Sequence, residues 1–140
     1  MSEQREKSTI VRGGSPAPQD GPADWFAGKV RVDLLTAGNI GNGLSLARVS
    51  FAAGGRTAWH KHPAGQTLLV EKGEGWTQVW GGAKEAFKAG DVIWCPPSVK
   101  HWHGATAASA MTHVAITPYK NGQNVDWLEQ VSDAEYLAEK

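Results

Sequence analysis

Short β-forming segments separated by turns make up most of this chain and restrict its fold. From Val30 onward, runs rich in β-branched and aromatic residues alternate with glycine- and proline-containing turns, at a spacing of about ten residues. This spacing predicts an all-β sandwich or barrel and leaves few residues for helices. The runs are KVRVDLL, LSLARVSF, RTAWHKH, QTLLVEKG, GWTQVWGG, DVIWCPP, HWHGA and MTHVAITP.

The length and the two chain ends indicate one domain with a loose arm. The chain has 140 residues, which is within the usual size of a single domain. Residues 1–22 are charged and then rich in Gly, Pro and Ser, which predicts a flexible N-terminal arm. Residues 23–140 are predicted to form the domain. Ser132 and Glu135 have the spacing of a capping box, which predicts one short helix from about Asp133.

Composition excludes several kinds of partner. Fourteen Lys and Arg residues balance fourteen Asp and Glu residues, so no basic field attracts nucleic acid or an anionic membrane. No apolar run approaches the roughly 18 residues that span a bilayer, and the N-terminal residues do not resemble a secretory signal. We therefore expect a cytoplasmic protein without nucleic-acid or membrane partners. The single cysteine, Cys95, is expected to be a small buried hydrophobic residue.

The spacing of the histidines indicates a metal site. His60 and His62 are two residues apart in a strand-like segment, so their rings project from the same face. A short turn can return Gln66 beside them, and His101 begins another strand that can reach across a small barrel. Three imidazoles and one oxygen suit a divalent first-row transition metal with open coordination positions.

Two further histidines have more than one interpretation. His103 shares a strand face with His101, so it is either a fifth ligand or a general acid or base. We favour the acid–base role, because an unligated imidazole titrates closest to neutral pH. His113 can face the same cavity, or it can be a core histidine that is hydrogen-bonded to the backbone.

The spacing of these residues resembles the two sequence motifs of the cupins, over residues 54–105. The matching residues are Gly54, His60, His62, Gln66 and Gly73 in the first motif, and Gly90, Pro96 and His101 in the second. The resemblance implies a cupin β-barrel, which is a jelly-roll-like double-stranded β-helix. Gln66 stands where the family usually has Glu, Ser98 where the second motif has Gly, and Ala105 where it has Asn.

The amide of Gln66 changes the expected chemistry of the metal. It removes the one anionic ligand, so a divalent ion would keep its full formal charge and act as a stronger Lewis acid. A neutral ligand set is also less suited to higher-valent metal states. Oxygen chemistry is therefore less favoured than the activation of a bound alcohol or water.

Longer segments are similar to the small bacterial cupins that act as manganese-dependent hydroxynitrile lyases. The similarity rests on RTAWHKHPAGQTLLV, VIWCPPSVKHWHGA and AMTHVAITP, and it extends over nearly all of the chain after residue 20. It implies a ligand set consisting of His60, His62, Gln66 and His101. It implies catalytic residues His103, His113 and Thr57, and a substrate pocket that includes Ala47, Val49 and Thr117. Thr117 stands where those lyases can carry a glutamine.

The implied reaction is the reversible cleavage of a cyanohydrin to cyanide and an aldehyde or ketone. The substrate oxygen would bind the metal, and His103 or His113 would take its proton. Manganese is the metal that the resemblance implies, although iron, nickel and zinc accept the same donors. The resemblance and the aromatic residues on strands also predict a homo-oligomer.

Two alternatives to the lyase stay open. Cupins support many reactions on one scaffold, so the metal could serve a dioxygenase or an isomerase of a small oxygenated substrate. Oxygen consumption with a phenolic or diketone substrate would favour that alternative. The chain could also be a non-catalytic ligand-binding cupin, which tight binding without turnover would indicate.

Overall fold

The computed structural model describes residues 7–14 and 16–139, which form twelve strands and one short helix. Strands account for most of the chain from Val30 to Pro118, as the turn spacing predicts. The strands are β1 (Gln19–Asp20), β2 (Phe26–Ala27), β3 (Val30–Ala37), β4 (Leu44–Phe51), β5 (Arg56–Thr57), β6 (His60–Lys61), β7 (Gln66–Val79), β8 (Lys84–Lys88), β9 (Val92–Cys95), β10 (His101–Ala105), β11 (Met111–Pro118) and β12 (Asp126–Trp127), and the helix is α1 (Asp133–Leu137).

The long strand β7 joins the two parts of a curled sheet. Its first part pairs with β11 and β9, and its second part pairs with β10 and β8. Along the main path the strand order is β1-β3-β4-β11-β7-β10-β5-β2, and β6 connects β10 to β12. The sheet curls into a half-barrel, so the inward faces of both parts look into one interior. The predicted all-β cupin barrel with one short C-terminal helix is confirmed.

Period-2 alternation determines which side chains enter that interior. Along β11 the residues alternate between buried and half-buried from Met111 to Pro118. On β4, Val49 and Phe51 are two residues apart, and both are buried. Each fully buried Val or Phe side chain stabilises the fold by about 1.5–3 kcal/mol. The largest core cluster consists of Val30, Val49, Phe51, Val70, Phe87, Ala105 and Met111.

The N-terminal segment enters the sheet before its predicted end. Gln19 and Asp20 pair with Val32 and Arg31 on β3, so strand pairing starts inside residues 1–22, where the sequence predicts a flexible arm. Residues 1–6 and 15 lie outside the described part of the chain. The flexibility of the segment and the domain boundary at residue 23 stay predictions.

The C-terminal helix begins at a capping box, as predicted. The Ser132 hydroxyl accepts a hydrogen bond from the Glu135 N–H, and the Glu135 carboxylate accepts one from the Ser132 N–H. The guanidinium of Arg56 donates to the Val131 carbonyl and to the Asp133 carboxylate, both at 2.8 Å, and so attaches this end to β5. Within residues 7–14 and 16–139, no helix has the length and apolar character needed to cross a membrane.

Candidate metal centre

A cavity of about 360 Å³ opens on the concave side of the sheet. Most of its walls are apolar, and its polar groups are the imidazoles, hydroxyls and amides of a few residues. Nine of the residues assigned to the site from sequence line it: Ala47, Val49, Thr57, His60, His62, Gln66, His103, His113 and Thr117. The tenth, His101, is buried directly beside His60.

Three histidine rings cluster where β6 meets β10. His60 and His101 are direct partners across the two strands, and their ring centroids are 4.3 Å apart. The ring of His62 lies 4.9 Å from that of His60 and 5.4 Å from that of His101. The two-residue spacing of His60 and His62, together with the pairing of His60 and His101 across β6 and β10, therefore brings all three rings together, as the sequence predicts.

Backbone carbonyls determine which ring nitrogen of each histidine is available. The Nδ1 atoms of His60, His62 and His101 lie 2.8, 2.7 and 3.0 Å from carbonyl oxygens, so each donates its Nδ1–H. The acceptors are the carbonyls of Ala58, Asn124 and Val99, respectively. Each ring consequently carries its lone pair on Nε2, as in metal-ligating histidines whose other nitrogen donates to a carbonyl.

Gln66 supplies an oxygen to the same place. It is the first residue of β7 and is buried, and its Nε2 atom donates to the Thr117 hydroxyl oxygen at 3.0 Å. Its Oε1 atom is buried and has no hydrogen-bond partner among the described residues. The amide therefore has a free acceptor, which is the atom a cation requires.

The unpartnered atoms of this cavity fit a divalent metal. Within residues 7–14 and 16–139, no hydrogen-bond partner is found for five buried atoms here: Nε2 of His62, His101 and His103, Nδ1 of His113, and Oε1 of Gln66. Buried polar atoms without partners are destabilising, and an ion would provide a partner for the lone pairs of the Nε2 and Oε1 atoms among them. Neutral nitrogen and amide oxygen donors suit a first-row transition metal.

The geometry and the motif select overlapping ligand sets. The ligating atoms of His60, His101 and His103 all lie within 4.8 Å of one another, whereas the motif combines the first two with His62 and Gln66. His103 is therefore close enough to His60 and His101 to be a fifth ligand. Both interpretations of this residue, ligand and proton carrier, are compatible with its position.

Burial keeps these rings neutral, which is the state that binds metal. Burial lowers the pKa of His60 and of His103 well below the ordinary value, and neighbouring histidines lower it further. Burial also lowers the pKa of His101 and of His113 to about 4. For His62 the pKa is lowered by burial, and its hydrogen bond to the Asn124 carbonyl opposes this shift.

His103 and His113 form a hydrogen-bonded pair behind the three clustered rings. Nε2 of His113 lies 3.1 Å from Nδ1 of His103, and both residues are buried. The hydroxyl oxygen of Thr57 accepts a hydrogen bond from the backbone N–H of His103 at 3.2 Å. Thr57 therefore contacts the backbone of this pair rather than an imidazole. His113 lines the cavity, as the first of its two interpretations requires.

Sequence reasoning missed an aromatic wall that comes from both ends of the domain. Trp25 and Trp127 stack with ring centroids 5.2 Å apart and planes 7° apart. Trp127 also lies 4.7 Å from the ring of His60, and both tryptophans line the cavity with Phe26. The available signal was the extension of the lyase resemblance over nearly all of the chain after residue 20, which covers both tryptophans without assigning a role to them.

One departure from the motif has a visible structural consequence. Ser98 occupies a glycine position of the second motif, and its φ of 61° lies in the left-handed region that favours glycine. Its backbone N–H donates to the carbonyl of His62 at 2.8 Å. The turn that contains Ser98 therefore supports the segment that carries a proposed ligand.

Comparison with known proteins places the chain in a family. The profile described as the cupin domain matches residues 47–117, which include the clustered histidines and Gln66. The chain belongs to the cupin family. The (R)-mandelonitrile lyase of Granulicella tundricola is 51% identical over 127 residues, which are 91% of this chain and 97% of the relative.

Solved cupin structures have the same architecture. A cupin-like protein from Thermotoga maritima is 36% identical with a TM-score of 0.80, and the match covers 92% of this chain and 95% of that protein. A cupin-2 domain protein from Rhodospirillum rubrum is 20% identical with a TM-score of 0.67, covering 96% and 87% of the two chains. The second likeness concerns the fold alone.

Proposed function

We propose that this cupin is a metal-dependent hydroxynitrile lyase that cleaves (R)-cyanohydrins of aromatic aldehydes. The observation that carries the proposal is the convergence of buried, unpartnered donor atoms on one apolar cavity. The 51% identity to a relative named (R)-mandelonitrile lyase supports the choice of reaction. The reaction converts a cyanohydrin into a carbonyl compound and hydrogen cyanide, and it is reversible.

The metal ligands in this proposal are His60, His62, Gln66 and His101. The three imidazoles are neutral and offer their Nε2 nitrogens, and Gln66 offers its amide oxygen, so the donor set is uncharged. When bound, a divalent ion supplies Lewis-acid stabilisation of the negative charge that develops on the substrate oxygen. We propose manganese as the metal, and iron, nickel and zinc are alternatives to be tested.

His103 is proposed to carry the proton. With His113 as the acceptor for its Nδ1–H, His103 has its lone pair on Nε2, which has no other partner among the described residues. This nitrogen can take the hydroxyl proton of the cyanohydrin as the bond between carbon and cyanide breaks. The electron pair of that bond leaves with cyanide, and the proton then passes from His103 to cyanide, so the site returns to its starting state.

The walls of the cavity suit an apolar substrate group. Trp25, Phe26 and Trp127 provide aromatic surface, and the small side chains of Ala47 and Val49 on β4 leave room in the cavity that they line. A volume of about 360 Å³ is at the lower end of the range for small-molecule sites. An aryl cyanohydrin offers a flat apolar group for such walls and a compact polar end for the histidines.

The test combines metal titration with a cleavage assay. Metal-free protein would be reconstituted separately with Mn²⁺, Fe²⁺, Ni²⁺ and Zn²⁺, and benzaldehyde release from (R)- and (S)-mandelonitrile would be followed by absorbance. We expect turnover only with metal, and faster turnover of the (R) form. Equal rates with and without metal, or oxygen consumption without cyanide release, would contradict the proposal.

Assembly and location are separate proposals. We propose a homo-oligomer in the cytoplasm that acts on a small molecule without nucleic-acid or membrane partners. Light scattering of purified protein measures the assembly state, and a monomer at micromolar concentration would contradict the first part. Fractionation of the source cells tests the location.

A further inference from the structure

Thr117 and Gln66 are joined by a hydrogen bond at the edge of the cavity. The Thr117 hydroxyl oxygen accepts from Gln66 Nε2 at 3.0 Å, although 51 residues separate the two in sequence. Both side chains are buried, with exposed fractions of 5% and 6%. The other end of the amide, Oε1, has no hydrogen-bond partner in the described part of the chain.

An amide at this position raises a difficulty that a carboxylate does not have. The two oxygens of a glutamate are equivalent, so either can face a cation. The two ends of a glutamine differ, and only the oxygen end is attracted to a cation, because the NH₂ group carries positive partial charge. Turning Oε1 towards the histidines sends the NH₂ group towards the opposite wall, where it needs an acceptor because a buried N–H without one is destabilising.

We propose that Thr117 is a positioning residue for the metal centre, which presents the Gln66 oxygen to the cation by accepting the hydrogen bond of the amide nitrogen. The inference rests on the proposed metal centre. It gives Thr117 a role that differs from the substrate contact that the sequence suggests. Outer contacts of this kind typically change metal affinity by about 10- to 100-fold when they are removed.

The first experiment measures metal affinity, independently of turnover. Isothermal titration of metal-free protein with Mn²⁺ would compare the unaltered chain with Thr117→Val, which keeps the shape and removes the oxygen, and with Thr117→Ser, which keeps the oxygen. We expect roughly 10- to 100-fold weaker binding for the valine variant and a change of no more than about threefold for the serine variant. Thr117→Ala is a second variant without the oxygen, in case valine impairs folding.

A matched control comes from the same strand. Thr112 also lies on β11, but its hydroxyl bonds to Ser50 on the outer face, away from the cavity. Thr112→Val makes the same chemical change without touching Gln66, so its Mn²⁺ affinity should equal that of the unaltered chain. An equal loss of affinity in both variants would overturn the inference.

A double-mutant cycle tests whether Thr117 acts through the amide. In a Gln66→Ala background there is no carboxamide to orient, so Thr117→Val should change the Mn²⁺ affinity by less than about twofold. A similar loss with and without the amide would overturn the positioning role.

The outcomes separate this inference from the proposed function. Tight Mn²⁺ binding by the unaltered chain together with unchanged binding by Thr117→Val would overturn the inference alone. Failure of the unaltered chain to bind any divalent transition metal would overturn both.

Discussion

Nε2 of His113 lies 3.1 Å from Nδ1 of His103, although the two residues lie on strands that do not pair with each other. β11 and β10 both pair with β7, and His113 stands opposite Val70 while His103 stands opposite Thr77. The curl of the sheet closes the distance between these two points. The contact couples the tautomers of the two rings, and in the proposed reaction His103 is the donor, which leaves the lone pair of its Nε2 atom in the cavity.

Removing the acceptor of this pair should slow the proposed reaction without removing the metal. His113→Phe keeps a ring of similar size but leaves the Nδ1–H of His103 buried without an acceptor, so the correct tautomer is no longer favoured. We expect kcat for mandelonitrile cleavage to fall by roughly 10-fold or more, with bound metal unchanged by elemental analysis. His113→Gln can still accept the hydrogen bond and should retain more activity. An unchanged kcat in His113→Phe would rule out the pair as the proton-transfer apparatus.

His103→Ala distinguishes a proton carrier from a fifth ligand. If the imidazole carries the proton, the variant should bind metal normally and lose roughly 100- to 10,000-fold in kcat. Elemental analysis alongside the cleavage assay measures both quantities. Full metal content with full turnover would remove the assignment, and loss of the metal would identify His103 as a ligand.

A larger side chain at residue 47 should alter substrate preference. Ala47 points into the cavity, so Ala47→Leu would occupy space that an aryl group needs. We expect kcat/KM for mandelonitrile to fall roughly 10-fold or more, while the value for acetone cyanohydrin changes less. Leu46→Met, a substitution at the neighbouring outward position of β4, is the control. Parallel losses for both substrates would contradict a role in shaping the pocket.

Glycine at residue 98 should stabilise the fold. Ser98 has a φ of 61°, and a left-handed conformation costs a residue with a side chain about 1–2 kcal/mol, against about 0.5–1 kcal/mol for the extra chain entropy of glycine. Ser98→Gly should therefore raise the free energy of unfolding by about 1 kcal/mol, measured by urea denaturation. Ser50→Gly, in the extended strand β4, should lower it. Destabilisation by Ser98→Gly would show that the serine side chain has a compensating role.

Cys95 should be unreactive in the native protein. Burial raises the pKa of its thiol to about 12, and the thiolate is the reactive form. At pH 8 the native thiol should react with a disulfide reagent at least about 1,000-fold more slowly than the chain in guanidinium chloride. Because the unfolded chain releases this proton first, the same shift lowers the free energy of unfolding as the pH rises from about 9 towards 12. Rapid native labelling would contradict the burial.

Much of the site follows from strand periodicity. The two-residue spacing of His60 and His62 and the position of His101 at the start of a strand were sufficient to place three rings on one inward face, because side chains alternate along any strand. The capping box at Ser132 predicted the helix for an equally local reason. Such features depend on bond geometry over a few residues, which the order of amino acids determines.

Contacts between distant residues could not be read in the same way. The tautomers of the histidines depend on carbonyls such as that of Asn124, and the orientation of Gln66 depends on Thr117. The aromatic wall joins Trp25 to Trp127, which are about a hundred residues apart. The alternation of side chains along a strand determines on which face of the sheet each side chain lies. Only the curl of the whole sheet decides which of these faces meet. The residue types of the proposed ligands were therefore determined by the sequence itself, whereas their protonation, orientation and enclosure were decided by the tertiary structure.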